Sequence, residues 1–479
     1  MTTLYEEITV ERSVDDCFRY LLDFSTIEQW DPGVYRATKR TAGAPKKGSV
    51  FEVTLSSMGR KIPMRYEIEA LEDRRRIQLF GRADELTSRD TIELKSLGPK
   101  RTKICFRAEL TLRQLPAIAS PVARPFLERI GKKTIDGLYR ALTPQRRLDE
   151  PSITERLKYK TILPAARDFT ERGYLKIENK GLSDFIDGQT AVITGPTSGL
   201  GLATAKLLAR LGARLILVGR GQEKLTRARR DIRHFSGCTG DDINVVEADL
   251  STIDQVRRAA TEVASLVNAG GIDILINNAG ALFDEHALTA DGIERTMAIN
   301  LMCPFVLTSS LIDELSRARG RVITVASGGM YTQGLRLEDM NFEKEPFHGP
   351  RAYARAKRGL VAITDHWSKV HGGRSISFNS MHPGWADTPG VSASLPRFYR
   401  TLKTSLRDAR MGADTIVWLA TSPAVDGVSG RFFFDRKPRP KAILPNTAVS
   451  PEQRLALVDW LRSQAARQSK STVAQRTNP

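Results

Sequence analysis

Apolar positions in residues 1–145 alternate with polar ones over several short stretches and then adopt a helical period. Leu4–Arg12 alternates as a strand, Val14–Leu22 has a helical pattern, and alternation returns repeatedly from Ser49 to Leu112, interrupted by charged turns. The apolar residues that follow mark one face of a helix: Ile118, Val122, Phe126, Ile130, Leu138 and Leu142. The pattern predicts an α+β domain with a helix-grip architecture, in which one long helix lies across a curved antiparallel sheet.

From Gly188 to about residue 445, short buried strands alternate with helical patterns. This alternation predicts an α/β domain over residues 188–445 with a doubly wound parallel sheet of the Rossmann type. The predicted strands are Thr190–Thr194, Arg214–Val218, Asn244–Ala248, Ile272–Asn277, Gly320–Ala326, Ser375–His382 and Arg431–Phe434.

Two further segments complete the predicted organisation. Residues 146–187 are expected to form a connector, whose mildly amphipathic stretch Ile162–Tyr174 is interrupted by Pro164. Residues 446–479 are expected to hold a helix over Pro451–Ala466 and a polar, basic, disordered tail from residue 467.

Composition and charge narrow the class of protein. The chain has 479 residues, a net charge of +18 that is spread diffusely, and no aromatic RNA-binding signature, so we expect no nucleic-acid partner. It has no apolar run near the roughly 18 residues that a membrane span needs and no apolar secretion core, although weak contact with an anionic membrane surface stays open. Its four cysteines lack metal-ligand spacing. These features predict a cytoplasmic protein without a metal site.

A glycine-rich turn follows the apolar run Ala191–Ile193. It reads Thr-Gly-Pro-Thr-Ser-Gly-Leu-Gly over residues 194–201 and then enters a helix. Gly195 permits a tight turn, Gly199 lets the backbone approach a pyrophosphate, and Gly201 lets the helix pack close to the strand. The free N–H groups of the helix N-terminus favour an anion at this position. The sequence therefore predicts a nucleotide-phosphate site here.

Further candidate residues follow at the predicted strand ends. Tyr353 and Lys357 lie one turn apart on a helix face, a spacing that is weak alone because Tyr35–Lys39 and Tyr399–Lys403 share it. Only the first of these pairs occurs with the other motifs in order. Those motifs are Asp249-Leu250, Asn277-Asn278-Ala279-Gly280, Ser327 and Pro383-Gly384.

The combined order of these motifs resembles the short-chain dehydrogenase/reductase family. The resemblance implies that Tyr353 donates a proton to a carbonyl oxygen and that Lys357 lowers the tyrosine pKa and binds the nicotinamide ribose. It also implies that Ser327 binds the substrate oxygen and that Asn300 holds a relay water. The implied cofactor contacts are Thr194, Gly195, Ser198, Gly199, Leu200, Gly201, Arg220, Asp249, Leu250, Asn277, Ala279, Gly280, Tyr353, Lys357, Pro383, Gly384 and Thr388.

The end of the second predicted strand bears on the choice of cofactor. An NAD enzyme usually places an acidic residue there to accept the ribose hydroxyls, whereas this chain has Gly219 followed by Arg220. Glycine leaves room and a guanidinium suits a 2′-phosphate, so the sequence predicts NADP.

Several segments resemble one subgroup of this family more narrowly, the dehydrogenase/reductase SDR family member 12 subgroup. These segments are Ala166–Tyr174, Ser327–Met330, Ser380–Val391, Gly412–Thr415 and Gly430–Pro438. The insert Gly328–Arg351 is expected to cover the substrate site. Its Tyr331, Phe342 and Phe347 either suit a bulky apolar substrate or anchor the loop.

Residues 1–145 resemble the START-like superfamily, which includes polyketide cyclases and lipid-transfer domains. The resemblance rests on the order of the elements and on Trp30-Asp31-Pro32-Gly33-Val34. It implies an apolar-ligand pocket, although the same apolar faces could simply fill one another as core. No paired carboxylates or histidine cluster in the sequence indicate catalysis in this domain.

Two functional hypotheses follow. The first is an NADP(H)-dependent oxidoreductase that reduces a carbonyl, or oxidises the matching alcohol, of a lipid- or polyketide-like substrate. The alternative is a lipid-binding or transfer protein whose Rossmann domain senses NADP(H) without turnover. The family resemblance also suggests a homo-oligomer, which the appended domain could prevent.

Overall fold

The computed structural model describes residues 2–57, 60–112, 120–158, 167–267, 269–372, 375–394 and 396–476. The chain divides into two compact units. The first comprises Met1–Arg146, Ile177–Phe185 and His234–Gly237, and the second comprises Arg147–Lys176, Ile186–Arg233 and Cys238–Pro479. The predicted connector is therefore shared between the units, and residues 159–166 of its amphipathic stretch lie outside the described residues.

An antiparallel seven-stranded sheet forms most of the first unit, in the order β1-β7-β6-β5-β4-β3-β2. Its strands are β1 (Thr2–Val10), β2 (Val34–Lys39), β3 (Val50–Ser57), β4 (Arg60–Glu72), β5 (Arg76–Arg82), β6 (Leu86–Gly98) and β7 (Arg101–Leu112). Its helices are α1 (Val14–Leu22), α2 (Ile27–Trp30) and α3 (Ser120–Leu142), with a 3₁₀ turn at Phe24–Thr26.

The core of the first unit lies between one face of the sheet and the helices. Buried and exposed residues alternate along the strands, as the sequence pattern requires. Helix α3 approaches α2 so closely that a Cβ on Gly137 would lie 1.9 Å from the Trp30 carbonyl oxygen. Leu138 and Leu142 of the predicted helix face are fully buried, whereas Ile118 and the side chains of Val122 and Phe126 lie outside the described part of the chain. The predicted helix-grip architecture is confirmed.

The second unit contains an eight-stranded sheet in the order β10-β9-β8-β11-β12-β13-β14-β15. All pairings are parallel except that of β14 with β15. The strands are β8 (Thr190–Thr194), β9 (Arg214–Gly219), β10 (Ile243–Glu247), β11 (Ile274–Asn277), β12 (Arg321–Val325), β13 (Ser377–Met381), β14 (Phe432–Phe434) and β15 (Lys437–Pro438). The strand order reverses between β8 and β11, which is where doubly wound sheets bind their ligands.

The helices of the second unit pack on both faces of this sheet. They are α4 (Ile153–Lys158), α5 (Glu171–Tyr174), α6 (Gly199–Arg210), α7 (Gln222–Ser236), α8 (Ile253–Leu266), α9 (Arg295–Met297), α10 (Cys303–Ser310), α11 (Ile312–Ala318), α12 (Gly349–Val370), α13 (Pro389–Ser394), α14 (Pro396–Leu402), α15 (Ala409–Thr421) and α16 (Pro451–Arg476). Each of the seven strands predicted here is observed to within two residues at either end, and the Rossmann prediction is confirmed.

Two observations qualify the predictions for helices. Helix α16 continues to Arg476, so the tail expected to be disordered from residue 467 is helical over its described part. No single described helix is long and apolar enough to cross a membrane, although Arg295–Ser310 and Ile312–Ala318, bent by 61°, would pass that test as a pair.

Candidate active site

The glycine-rich turn connects the end of β8 to the start of α6. Gly195 and Gly199 have φ angles of +65° and +51°, which side chains with a Cβ rarely adopt. A Cβ on Gly201 would lie 2.1 Å from the Gly195 carbonyl oxygen, so only glycine permits this close packing of helix on turn. Thr388 lies against the same turn, because a Cβ on Gly199 would be 3.2 Å from its methyl group. The structure thus brings together three of the predicted phosphate-site glycines and Thr388.

Asn278 joins this turn to the end of β11. Its side-chain amide donates to the carbonyl oxygens of Thr194 and Gly195 at 2.9 and 3.1 Å. The Thr194 hydroxyl in turn accepts from the backbone N–H groups of Asn278 and Ala279, both at 3.0 Å. These four hydrogen bonds fix the two strand ends at the switch point. The neighbouring Asn277 side chain, predicted among the cofactor contacts, instead donates to Thr308 at 2.9 Å in the interior.

The predicted adenosine side of the site lies at the ends of β9 and β10. Arg220 is exposed directly after β9. Glu247, which the sequence analysis did not single out, accepts hydrogen bonds from the backbone of Gly221 and Gln222 at 3.2 and 3.1 Å. Asp249 accepts from the Ser251 backbone and hydroxyl at 3.0 and 2.8 Å through one carboxylate oxygen. The Glu247 carboxylate therefore lies against the backbone that directly follows Arg220.

Helix α12 carries Tyr353 and Lys357 on one face. The Lys357 ammonium is 2% exposed, donates to the Val325 carbonyl oxygen at 2.9 Å and lies 5.5 Å from the Tyr353 ring centre. Burial lowers the pKa of Lys357 to about 7, because removal from water disfavours the charged form. The amine is therefore poised between its two protonation states near neutral pH.

Tyr353 is hydrogen-bonded to Ser327, which follows β12. Burial raises the pKa of Tyr353 to about 12, and the Ser327 hydrogen bond only partly opposes this effect. The expectation that Lys357 lowers the pKa of this tyrosine stays a prediction for the site with its cofactor bound. Burial also disfavours the charge on the Lys357 amine that was expected to stabilise the phenolate.

Asn300 lies in a single π-helical turn, Ala298–Met302, a feature often found at functional sites. Its amide nitrogen donates to the carbonyl oxygens of Ala281 and Thr296 at 2.6 and 2.8 Å. Its buried Oδ1 has no hydrogen-bond partner within the described part of the chain. A Cβ on Gly280 would lie 2.6 Å from that oxygen and 3.1 Å from the Lys357 ammonium nitrogen. The Asn300 oxygen, which is an acceptor, and the Lys357 nitrogen, which is a donor, thus border the same small space. A water molecule that bridges two groups needs such an arrangement.

The chain is similar in sequence to known proteins, and the families of those proteins agree with the geometry of the site. Residues 189–396 match the family described as "short chain dehydrogenase", and residues 1–143 match "Polyketide cyclase / dehydrase and lipid transport". Dehydrogenase/reductase SDR family member 12 of Bos taurus is 37% identical over 308 residues, which cover 63% of this chain and 95% of the relative. The chain belongs to the short-chain dehydrogenase/reductase family.

Two other relatives of this family share less identity. A putative daunorubicin C-13 ketoreductase, DnrU, of Streptomyces sp. (strain C5) is 32% identical over 59% of this chain and 93% of its own length. Human retinol dehydrogenase 14 is also 32% identical, over 57% of this chain and 86% of its own length. Membership in this family indicates that the protein is an oxidoreductase that acts on alcohol or carbonyl groups. In this chain, a START-like domain precedes the dehydrogenase/reductase domain.

The insert of this dehydrogenase/reductase unit, Gly328–Arg351, is anchored by its aromatic residues. Tyr331 and Phe342 are 3% and 4% exposed, and the Tyr331 hydroxyl donates to the Pro440 carbonyl oxygen at 2.7 Å. The Phe347 ring lies 5.4 Å from that of Phe342. Of the two interpretations of these residues, loop anchoring is the one that their contacts support. Arg358 adds donor bonds to the carbonyl oxygens of Met330 and Gln333.

A part of the connector also packs beside Ser327, the predicted substrate-binding serine of the dehydrogenase/reductase unit. Phe169 contacts the His382 and Phe434 rings, with centre separations of 4.3 and 5.1 Å. A Cβ on Gly328, next to Ser327, would lie 3.2 Å from the Phe169 ring. The sequence analysis missed this contact because the connector lies far from these residues along the chain.

Arg407 holds this connector segment in place. Its guanidinium is 1% exposed and donates to the carbonyl oxygens of Asp168 and Thr170 at 2.5 and 3.1 Å. It also forms two hydrogen bonds to the Asp435 carboxylate, at 2.6 and 2.9 Å. A Cβ on Gly384, in the predicted Pro383-Gly384 turn, would lie 2.5 Å from the same guanidinium. Arg407 thus links the connector, this turn and the strand end after β14.

Proposed function

We propose that the protein is an NADP(H)-dependent oxidoreductase that reduces a carbonyl, or oxidises the matching alcohol, of an apolar, lipid- or polyketide-like substrate. The observation that supports this most directly is the convergence of Tyr353, Ser327, Lys357 and the unpartnered Asn300 oxygen at the carboxyl edge of the sheet.

The chain's residues fit a dinucleotide. Gly195, Gly199 and Gly201 carry no side chains at this turn, and its backbone is tethered by Asn278. Gly280 leaves space next to Lys357, where a ribose hydroxyl could accept a hydrogen bond. When bound, the nicotinamide would supply or accept the hydride.

Side chains of the protein itself would transfer the proton. Ser327 would donate to the substrate carbonyl oxygen, and Tyr353 would transfer its hydroxyl proton to that oxygen as the carbon gains hydride. Lys357 would return a proton to the resulting phenolate. A water between the Lys357 nitrogen and the Asn300 oxygen would in turn reprotonate the amine. Ser327, Tyr353, Lys357 and Asn300 are the groups of the chain that would take part in this sequence.

NADP is favoured over NAD because Arg220 follows Gly219 at the end of β9. An exposed guanidinium can make paired hydrogen bonds to a phosphate. Glu247 opposes this preference, since its carboxylate occupies the backbone N–H groups of Gly221 and Gln222. The proposal therefore assigns phosphate recognition to the Arg220 side chain rather than to the start of helix α7.

The N-terminal unit would collect the apolar substrate. Its interior is lined by aromatic residues, with the Trp30 ring 6.5 Å from that of Phe24 and 6.2 Å from that of Phe106. The match to a family described by polyketide cyclisation and lipid transport supports the same class of ligand.

Replacing Tyr353 with phenylalanine tests the function. Loss of the proton donor should lower the rate of NADPH oxidation with apolar ketones by roughly 10²–10⁴-fold while NADPH binding persists. Unchanged turnover would contradict the proposal. A protein that binds NADPH but consumes none with any ketone, before or after substitution, would instead be the sensor of the alternative hypothesis.

A further inference from the structure

The interior of the N-terminal unit contains a polar cluster that the reduction at Tyr353 does not use. Tyr66 lies on β4, Ser88 and Asp90 lie on β6, and each is at most 6% exposed. The sequence showed no paired carboxylates here, but folding brings Asp31 close enough to raise the pKa of Asp90. Asp31 belongs to the Trp-Asp-Pro-Gly segment, which had no functional assignment.

Strand register explains how the cluster forms. Tyr66 pairs with Gly81 on β5, and Gly81 pairs with Ser88 on β6, so the three residues form one row across the sheet. A Cβ on Gly81 would lie 2.6 Å from two carbon atoms of the Tyr66 ring. The missing side chain therefore lets the ring lean across β5 towards β6. There the Tyr66 hydroxyl lies close enough to the Asp90 carboxyl to lower its pKa.

Asp90 lies on the same sheet face as Ser88, two residues along β6. It accepts a hydrogen bond from the Ser88 hydroxyl. Its row contains only apolar neighbours, since it pairs with Leu79 on one side and Ala108 on the other. Burial raises the pKa of Asp90 to about 7, against the opposing effect of the Ser88 and Tyr66 hydrogen bonds. The carboxyl is therefore available as a proton donor near neutral pH.

A second group of polar residues lies on the helix side of the interior. The Asp31 carboxylate accepts from the Gly33 backbone at 2.8 Å and is hydrogen-bonded to Thr134 of α3. The groups that act on Asp90 are thus two hydroxyls and a second carboxyl, and no cation of the described residues is among them. A carboxyl buried with so few partners is costly for stability, which is typical of sites kept for a ligand.

We propose that Tyr66, Ser88 and Asp90 form a site that binds the carbonyl oxygen of an otherwise apolar ligand inside the N-terminal unit. The Tyr66 hydroxyl and the Asp90 carboxylic acid donate to that oxygen, and Ser88 orients Asp90. The adjacent Phe24 ring, 4.9 Å from that of Tyr66, packs against the apolar part of the ligand. This site does not depend on hydride transfer at Tyr353.

The test compares two probes of similar shape, 2-acetylnaphthalene and 2-isopropenylnaphthalene, which differ in having a carbonyl oxygen or a methylene group. Binding is measured by calorimetry on the full chain without cofactor, in a Ser327→Ala/Tyr353→Phe background so that neither proposed donor of the reductase site adds a preference for oxygen. Two net hydrogen bonds of about 0.5–1.5 kcal/mol each give an expected preference for the ketone of about tenfold.

Substitutions in and near the cluster distinguish a loss of ligand recognition from a loss of folding. Tyr66→Phe and Asp90→Leu should each reduce the preference to about threefold or less, whereas Asp90→Asn, which keeps an N–H donor, should retain most of it. Tyr20→Phe is the matched control, since the Tyr20 hydroxyl is also buried but bonds to Gln29 at 2.9 Å. Equal binding of both probes, an unchanged preference in Tyr66→Phe, or an equal loss in Tyr20→Phe would each overturn the proposal.

Discussion

Replacing Gly280 with alanine tests whether Asn300 and Lys357 act together on a shared water. The added methyl carbon would lie 2.6 Å from the Asn300 oxygen and 3.1 Å from the Lys357 nitrogen, whereas ordinary contact begins at 3.4 Å. The asparagine oxygen would have to retreat by about 0.8 Å, the difference between these distances. Its amide nitrogen resists this movement, because it is bonded to Ala281 and Thr296. The methyl group would also occupy the space of the water.

The expected loss can be estimated from these distances. Displacement of a catalytic group by about 1 Å costs roughly 10²-fold in rate, and overpacking costs about 1–3 kcal/mol of stability. We therefore expect kcat/KM for ketone reduction to fall by about 10- to 100-fold while the protein stays folded. Steady-state NADPH oxidation measures the first quantity, and urea denaturation measures the second.

Gly270→Ala is the matched control for Gly280→Ala. A Cβ on Gly270 would meet no atom within 4 Å, so both the rate and the stability should stay close to those of the wild type. The reasoning is refuted if Gly280→Ala keeps full kcat/KM, since the crowded oxygen and nitrogen would then not be needed as a pair.

Three further predictions concern the cofactor, the connector and pH. Arg220→Ala should reduce the preference for NADPH over NADH by about tenfold or more in kcat/KM; an unchanged ratio would contradict phosphate recognition by this residue. Arg407→Met should lower the free energy of unfolding in urea by about 3–5 kcal/mol, and adding Asp435→Asn should recover part of that loss. The pKa of Asp90 rises on folding from 3.8 to about 7, so the native state binds the proton more tightly. The free energy of unfolding of the wild type relative to that of Asp90→Asn should therefore fall as pH rises from about 4 to about 7, by on the order of 4 kcal/mol; a difference that does not change with pH would contradict this.

Local sequence patterns were sufficient to predict most of the strands, although not β2 or β15, and the order of the candidate motifs along the chain. The glycine turn, Asn278 and the Tyr353–Lys357 pair each act through residues that are close in sequence or lie at strand ends. In a parallel sheet, the carboxyl ends of the strands meet at one edge, so their side chains converge without further information.

The contacts that the sequence did not reveal depend on long-range register. Tyr66 reaches Asp90 only because Gly81 lies between them on the intervening strand. Phe169 reaches the segment after Ser327 only because Arg407 binds the connector backbone. Burial at the site could not be read from local patterns either, and it raises the pKa of Tyr353 while it lowers that of Lys357.

The central claim is that Tyr353 protonates a carbonyl oxygen while its carbon receives hydride from NADPH. The most direct measurement follows deuterium from the transferable position of labelled NADPH into the alcohol products of an apolar ketone panel, by mass spectrometry. We predict one deuterium atom per product molecule with the wild type and almost none with Tyr353→Phe, although that variant still binds NADPH. Equal labelling by both proteins, or no labelled alcohol from the wild type with any ketone of the panel, would contradict the account.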